Sequence, residues 1–243
     1  MTGSSGAEAN LGLGRGLSMD LELETARIMR LPNEAFYIPD FVTEEEETRL
    51  LHKINSAPLP TWKNLPTSQR RLQTYPSSLS NSNTLLASPL PPWLSDPILP
   101  RFNALHLFAD APHKEPNHVL VNEYTPSQGI MPHEDGGAYY PLVATVSLGG
   151  VVCLDLYPKY NIQGHEGENE PARQPAYRIL QERRSLLVTR ASIYRDYLHG
   201  IAEREKEENL TADSICNWDL LGDKEQFVDG WCMRGGEYDE ILE

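Results

Sequence analysis

A chain of 243 residues suits one large β domain or two small ones, and a single domain is the simpler reading. Its 21 lysines and arginines stand against 35 acids, a formal charge of −14 that speaks against a general polyanion binder. Three cysteines without C-x-x-C spacing, and no apolar signal region, argue against a disulfide framework or zinc ribbon; they fit a reducing compartment, cytoplasmic and/or nuclear, and no apolar run is long enough to span a membrane.

Residues 1–18 are rich in glycine, serine and alanine and cannot bury enough apolar surface to offset ordering, so a disordered tail is expected. The run Phe36 to Phe41 reads as a short strand. Thr43 followed by Glu46 forms a capping box, and Leu50, Leu51 and Ile54 follow at helical spacing, which predicts a helix over Glu44–Asn55 ended by Pro58 and Pro60. From Pro58 to Pro100 the chain reads as one long irregular loop. Trp62, Lys63, Arg70, Arg71, Gln73 and Tyr75 lie in it, alternating aromatics with cations in a composition able to stack a base and neutralise phosphates. The alternative is a solvated loop that Trp62 and Tyr75 anchor to the core. Between Thr48 and Ala109 six bases meet one acid, whereas from Asp196 onward fourteen acids meet four bases, so a basic face is compatible with the acidic total. A second helix is expected from Pro92-Trp93-Leu94 and Ile98 to Phe108.

Strand signals then dominate. His118 to Tyr124, Tyr140 to Leu148, Val151 to Tyr157, Tyr177 to Leu180, Ser185 to Thr189 and the segment around His199 are short and β-rich. Gly149-Gly150 reads as a hairpin turn between two of them, and 161–175 as an exposed loop. Many short strands with glycine and proline turns indicate a mainly β (α+β) sandwich or barrel with flanking N-terminal helices.

The chemistry-bearing residues are His133 and Asp135, two apart and so able to share one face of a strand, and His199, 66 residues downstream on a strand that must lie alongside. Two imidazoles and one carboxylate are the facial set that holds Fe(II) with open coordination positions. The same three ligands would also serve a cupin-like zinc protein.

The ordered string His118-Val119-Leu120-Val121-Asn122-x-Tyr124, Gly129-Ile130-Met131-Pro132-His133-x-Asp135-Gly136 and Leu198-His199-Gly200-Ile201 resembles the AlkB family of Fe(II)- and 2-oxoglutarate-dependent dioxygenases, in particular its sixth-homologue subgroup, over about Phe36 to Glu203. The resemblance implies a double-stranded β-helix (jelly-roll, cupin-like) core with Fe(II) on His133, Asp135 and His199; a monomer is expected. It implies 2-oxoglutarate and O2 as co-substrates, with Asn122 and Tyr124 contacting the 2-oxoglutarate. It also implies alkylated DNA or RNA as partner, the Trp62 to Tyr75 stretch as recognition lid, and hydroxylation of an N-methyl group followed by loss of formaldehyde. The implied layout is an N-terminal extension over 30–110, the dioxygenase core over 111–203 and an acidic, atypical segment over 204–243.

One departure stands out. The family follows its distal histidine with a strand of the form Arg-x-Ser-x-Thr-x-Arg, whose arginines clamp the far carboxylate of 2-oxoglutarate. After Ile201 no such strand is legible, and Arg234 sits in unlike surroundings, as in a truncated or alternatively spliced ending. Unpaired backbone beside the metal and a loss of about two to four decades in co-substrate affinity are then expected. This opens a second reading, a catalytically impaired module that still binds nucleic acid or protein. Arg190 and Arg195 are read as surface or interstrand charges rather than substitutes.

Overall fold

The computed structural model describes residues 23–32, 34–66, 68–76, 88–159, 174–235 and 237–242, the last stretch by its backbone. The tail over 1–18, and most of the loop over 161–175, lie outside the described residues.

Helix α1 (Glu44–Asn55) begins where the capping box sets it. The Thr43 hydroxyl accepts from the Glu46 N–H, the Glu46 carboxylate accepts from the Thr43 N–H at 2.8 Å, and four glutamates occupy the first turn. Two further helices, α2 (Pro92–Ser95) and α3 (Ile98–Ala104), stop short of the expected Phe108 because the chain turns after Ala104. Leu50, Ile54, Leu94, Ile98 and Phe102 from these helices share one core with Phe36, Val119, Val121, Ala144, Val146 and Val188. The helices therefore roof one face of a sheet.

In chain order the strands are β1 (Ala35–Ile38), β2 (Lys63–Leu65), β3 (Arg70–Tyr75), β4 (Val119–Tyr124), β5 (Ile130–His133), β6 (Leu142–Leu148) and β7 (Val152–Pro158). They continue as β8 (Tyr177–Gln181), β9 (Leu186–Arg190), β10 (Tyr197–Ile201), β11 (Lys206–Glu208), β12 (Trp231–Met233) and β13 (Glu237–Leu242). A seven-stranded antiparallel sheet runs β1-β9-β6-β13-β4-β3-β2, a four-stranded one runs β5-β10-β7-β8, and β11 pairs with β12. The two larger sheets face one another across a cavity lined by residues of both, the arrangement of a double-stranded β-helix. Every residue of β6 is buried, because helices cover one face of its sheet and the second sheet closes the other.

Three expectations change, and one open question is answered. Gly149-Gly150 does not close a hairpin: β6 pairs with β13 and β9, β7 with β10 and β8, and the two glycines carry the chain from one sheet to the other. Gly149 takes a left-handed φ of 81°, and its N–H donates to buried Glu47 of α1 at 2.8 Å, which fastens the crossing. The stretch expected as one irregular loop contains the β2–β3 hairpin at the edge of the large sheet. The acidic segment after Ile201 is packed structure: Leu210, Ile215, Leu221 and Phe227 are buried against the second sheet's core. Finally, the last strand is present. β13 enters the middle of the large sheet, paired to β4 on one side and β6 on the other, so the backbone beside the cavity is bonded on both edges. Since β1 to β3 and β13 all join the sheet that holds β4, β6 and β9, the division at 110 and 203 does not follow the sheets.

Candidate metal centre and its cavity

The ladder between β5 and β10 sets His133 directly opposite His199. That register answers what spacing alone left open, and it brings the imidazole centroids to 4.3 Å. Asp135 follows β5 in a turn at Gly136, whose φ of 93° an L side chain rarely adopts and whose carbonyl accepts from the Tyr194 hydroxyl at 3.1 Å. Its Oδ1 lies 3.3 Å from His199 Nε2 and 3.8 Å from His133 Nε2. One donor atom from each of the three residues lies within 4.8 Å of the others, the only such group of His, Cys, Asp and Glu among the described residues.

Two features fit the group to a divalent cation. His133 Nδ1 lies 2.9 Å from the Met131 carbonyl, which can only accept, so Nδ1 carries the proton and Nε2 presents its lone pair toward Asp135. Burial, then the neighbouring His199, hold the His133 imidazole below its ordinary 6.5 and keep it neutral. For Asp135, burial alone would push the carboxyl up; its contact with His199, and then with His133, outweighs that and holds the group below its ordinary 3.8. A neutral lone pair beside an ionised carboxylate is the state a metal requires of its ligands.

Behind this cluster lies a cavity of about 110 Å³, several times the room a single ordered water needs. Apolar side chains alternate in its walls with polar ones, and beyond the three cluster residues the polar members are Arg70, Asn122, Tyr124, Thr145, Gln181, Thr189 and Tyr194. Asn122 and Tyr124, two apart on β4, face it together and are buried. Register places Glu237 and Asp239 of β13 in the rows of Tyr124 and Asn122, and β13 contains no arginine.

The other residues expected to meet a substrate divide. Arg70 lines the cavity. Trp62 is buried beneath the Arg71 guanidinium, 4.0 Å from its ring centroid, and Arg71 is committed to both carboxylate oxygens of Glu123. Gln73 is fully buried and donates to the Ile54 carbonyl at 2.9 Å, tying β3 to the end of α1, while Tyr75 packs edge-on against Trp93. Lys63 is exposed at the sheet edge beside Thr74. Trp62, Arg71, Gln73 and Tyr75 are therefore engaged within the fold, with partners on β4 and the helices. Arg190 pairs with Glu34, as an interstrand charge should. Arg234 donates to Glu207 Oε1 at 2.7 Å and to the Gln128 carbonyl at 3.0 Å, away from the cavity. Tyr194 had no signal in the sequence: it lies in the short helix α4 (Ser192–Asp196), and only the fold brings it to Gly136.

The two facing sheets, with two histidines and a carboxylate at their cavity, define a double-stranded β-helix with a candidate metal centre. Solved structures agree in the fold. OsALKBH1 matches at TM-score 0.54 and 13% identity, over 88% of this chain and 97% of that one. A 2OG-Fe(II) oxygenase family oxidoreductase from Burkholderia pseudomallei matches at 0.51 and 11%, over 97% and 92%. No protein-family model matches the chain. Among related sequences, ALKBH6 of Danio rerio, described as a probable RNA/DNA demethylase, is 41% identical over 203 residues, 83% of this chain and 82% of that protein. The uncharacterised protein L905 of Acanthamoeba polyphaga mimivirus is 30% identical over 176 residues, 70% and 74% of the two chains. The chain belongs to the AlkB-like family of Fe(II)/2-oxoglutarate dioxygenases, and is an enzyme by family.

Proposed function

We propose that this protein is an Fe(II)- and 2-oxoglutarate-dependent dioxygenase that removes alkyl groups from nucleic acid. The observation that carries the reading is the convergence of His133, Asp135 and His199 at a cavity whose wall presents Asn122 and Tyr124. His133, Asp135 and His199 would hold the iron on one side and leave positions for the co-substrates. Bound iron with a 2-oxo acid and O2 supplies the oxidation of a C–H bond. The residues' own part is orientation and exclusion. Asp135 stays ionised and His133 neutral, Tyr194 fixes the turn that aims Asp135, and apolar Leu154, Leu156 and Ile201 keep water from the reacting side. Asn122, whose Oδ1 is taken by Arg70, still offers its N–H2 to a carboxylate.

Support for a nucleic acid substrate comes from the relative ALKBH6, a probable RNA/DNA demethylase, and from exposed Lys63 near the sheet edge. A monomer in the cytoplasm and/or nucleus is part of the same proposal. No helix among the described residues is long and apolar enough to cross a membrane. The test is anaerobic purification, addition of Fe(II) and labelled 2-oxoglutarate, then admission of O2. Succinate release is expected, and a folded, iron-loaded protein that releases none refutes the reading. The second reading, an impaired binding module, is favoured by one observation: β13 carries two acids, not arginine, in the rows of Asn122 and Tyr124. It predicts binding of methylated oligonucleotide without succinate.

A further inference from the structure

Arg70 differs from the other buried and half-buried arginines of this fold. Arg234 and Arg178 both reach Glu207, and Arg178 also reaches Asp155 at 3.3 Å. Even the half-buried Arg71 is paired, to Glu123. Arg70 is 9% exposed and makes no ion pair with a described residue; its Nη1 donates to the neutral Asn122 Oδ1, and its buried Nε has no hydrogen-bond partner. A guanidinium without a carboxylate in so little water is costly, and the expense is recovered only when an anion arrives.

The surroundings indicate which anion. Arg70 lines the same cavity as His133, Asp135 and His199, and among the described residues it is the only lysine or arginine that does. Its guanidinium lies over the Tyr124 ring, 5.5 Å from the centroid, and is bonded to Asn122, so the planar fork is already oriented. Five N–H donors in a rigid plane match a carboxylate. Arg234, the arginine nearest the chain's end, is spent on Glu207 and Gln128 elsewhere.

We propose that Arg70 is the carboxylate anchor of this cavity: it binds a carboxylate of the 2-oxo acid and, through Asn122, orients the amide that shares the task. The inference rests on the co-substrate reading above and places the charge on β3, where the last strand has no arginine. No bond is made or broken by Arg70.

The experiment is calorimetric titration of the full chain, loaded anaerobically with Mn(II), against 2-oxoglutarate, for the natural chain and for Arg70→Gln and Arg70→Lys. Mn(II) affinity is measured alongside. Arg70→Gln is expected to weaken 2-oxoglutarate binding by about 10- to 100-fold with Mn(II) affinity unchanged, and Arg70→Lys, which keeps the charge but not the fork, to fall between. If the natural chain binds and both variants bind within about threefold of it, the Arg70 assignment is overturned while the co-substrate reading stands. A parallel loss of Mn(II) affinity would also overturn it, since Arg70 would then merely support the fold. Should Arg70→Gln not fold, Arg70→Lys decides alone, and natural affinity in that variant overturns the assignment. A natural chain that binds Mn(II) but no 2-oxoglutarate sinks the co-substrate reading, and Arg70's role with it.

Discussion

Gly200→Ala tests whether strand separation is what brings the histidines together. Gly200 follows His199 on β10 and lies against β5, which carries His133. A Cβ there would meet the Ile130 carbonyl oxygen and the Pro132 nitrogen at 3.0 Å, and the Pro132 Cα at 3.2 Å. All three are backbone atoms of β5, so no side chain can swing aside. The strands must part by a few tenths of an ångström, and the separation falls one residue from a ligand. Overpacking of this kind costs about 1–3 kcal/mol of stability, and disturbing the support of a metal ligand costs about 10- to 100-fold in affinity. Gly129→Ala should be more severe, since its Cβ would lie 2.3 Å from the Ile201 carbonyl oxygen. Gly137→Ala is the control: it is in the same region, with nothing within 4 Å of the added carbon. Mn(II) binding, followed by the loss of the free-ion electron paramagnetic resonance signal, and thermal melting would be read for all three. The expected order of damage is Gly129, then Gly200, with Gly137 close to the natural chain. Natural Mn(II) affinity in Gly200→Ala would refute the claim that this ladder sets the metal geometry.

Asp135→Ala removes the only carboxylate of the cluster and should lower Mn(II) affinity by more than the roughly 100-fold that loss of an outer partner can cost, with the melting temperature of the metal-free protein little changed. Glu207→Ala leaves Arg234 and Arg178 without their shared partner in a site where the Glu207 side chain is fully buried, a destabilisation of about 3–5 kcal/mol to be read from the urea midpoint. Arg71→Ala breaks a two-point pair with Glu123 and uncovers Trp62; a stability loss of about 1–3 kcal/mol is expected, with oligonucleotide affinity unaffected. For Glu46, burial alone would raise the carboxyl, but the Arg101 pair and the Thr43 N–H hold it below 4.5. A depressed acid stabilises the fold above its unfolded value and ceases to as pH falls through the folded one. Glu46→Gln should therefore be less stable than the natural chain by about 1 kcal/mol near neutrality, a gap that closes in denaturation curves taken at about pH 3.

Local rules were readable from the chain alone. The capping box placed α1 because its bonds span only three residues, from Thr43 to Glu46. The run from Val119 to Tyr124 read as a strand by its alternation, and the H-x-D step with a distant histidine, set in its ordered neighbours, indicated both the metal chemistry and the family. What each strand pairs with was not readable, since a strand's period is the same whatever lies beside it. Only the folded sheets showed that Gly149-Gly150 crosses between layers, and that the stretch with Arg70 and Arg71 forms a hairpin at the sheet edge. The sequence Glu237-Tyr238-Asp239-Glu240 shows no strand pattern that would distinguish it from an acidic tail, yet β4 and β6 leave a gap between their edges that any extended backbone can fill. Tertiary structure likewise separated arginines of equal appearance in the chain: Arg71 faces Glu123 and is neutralised, while Arg70, one residue earlier and so on the opposite face of β3, faces the cavity and makes no ion pair with a described residue. The sequence determined which groups could ligate a metal; the sheet register decided that they meet, because a ladder between residues far apart in the chain brings their side chains within ångströms, which no local preference can do.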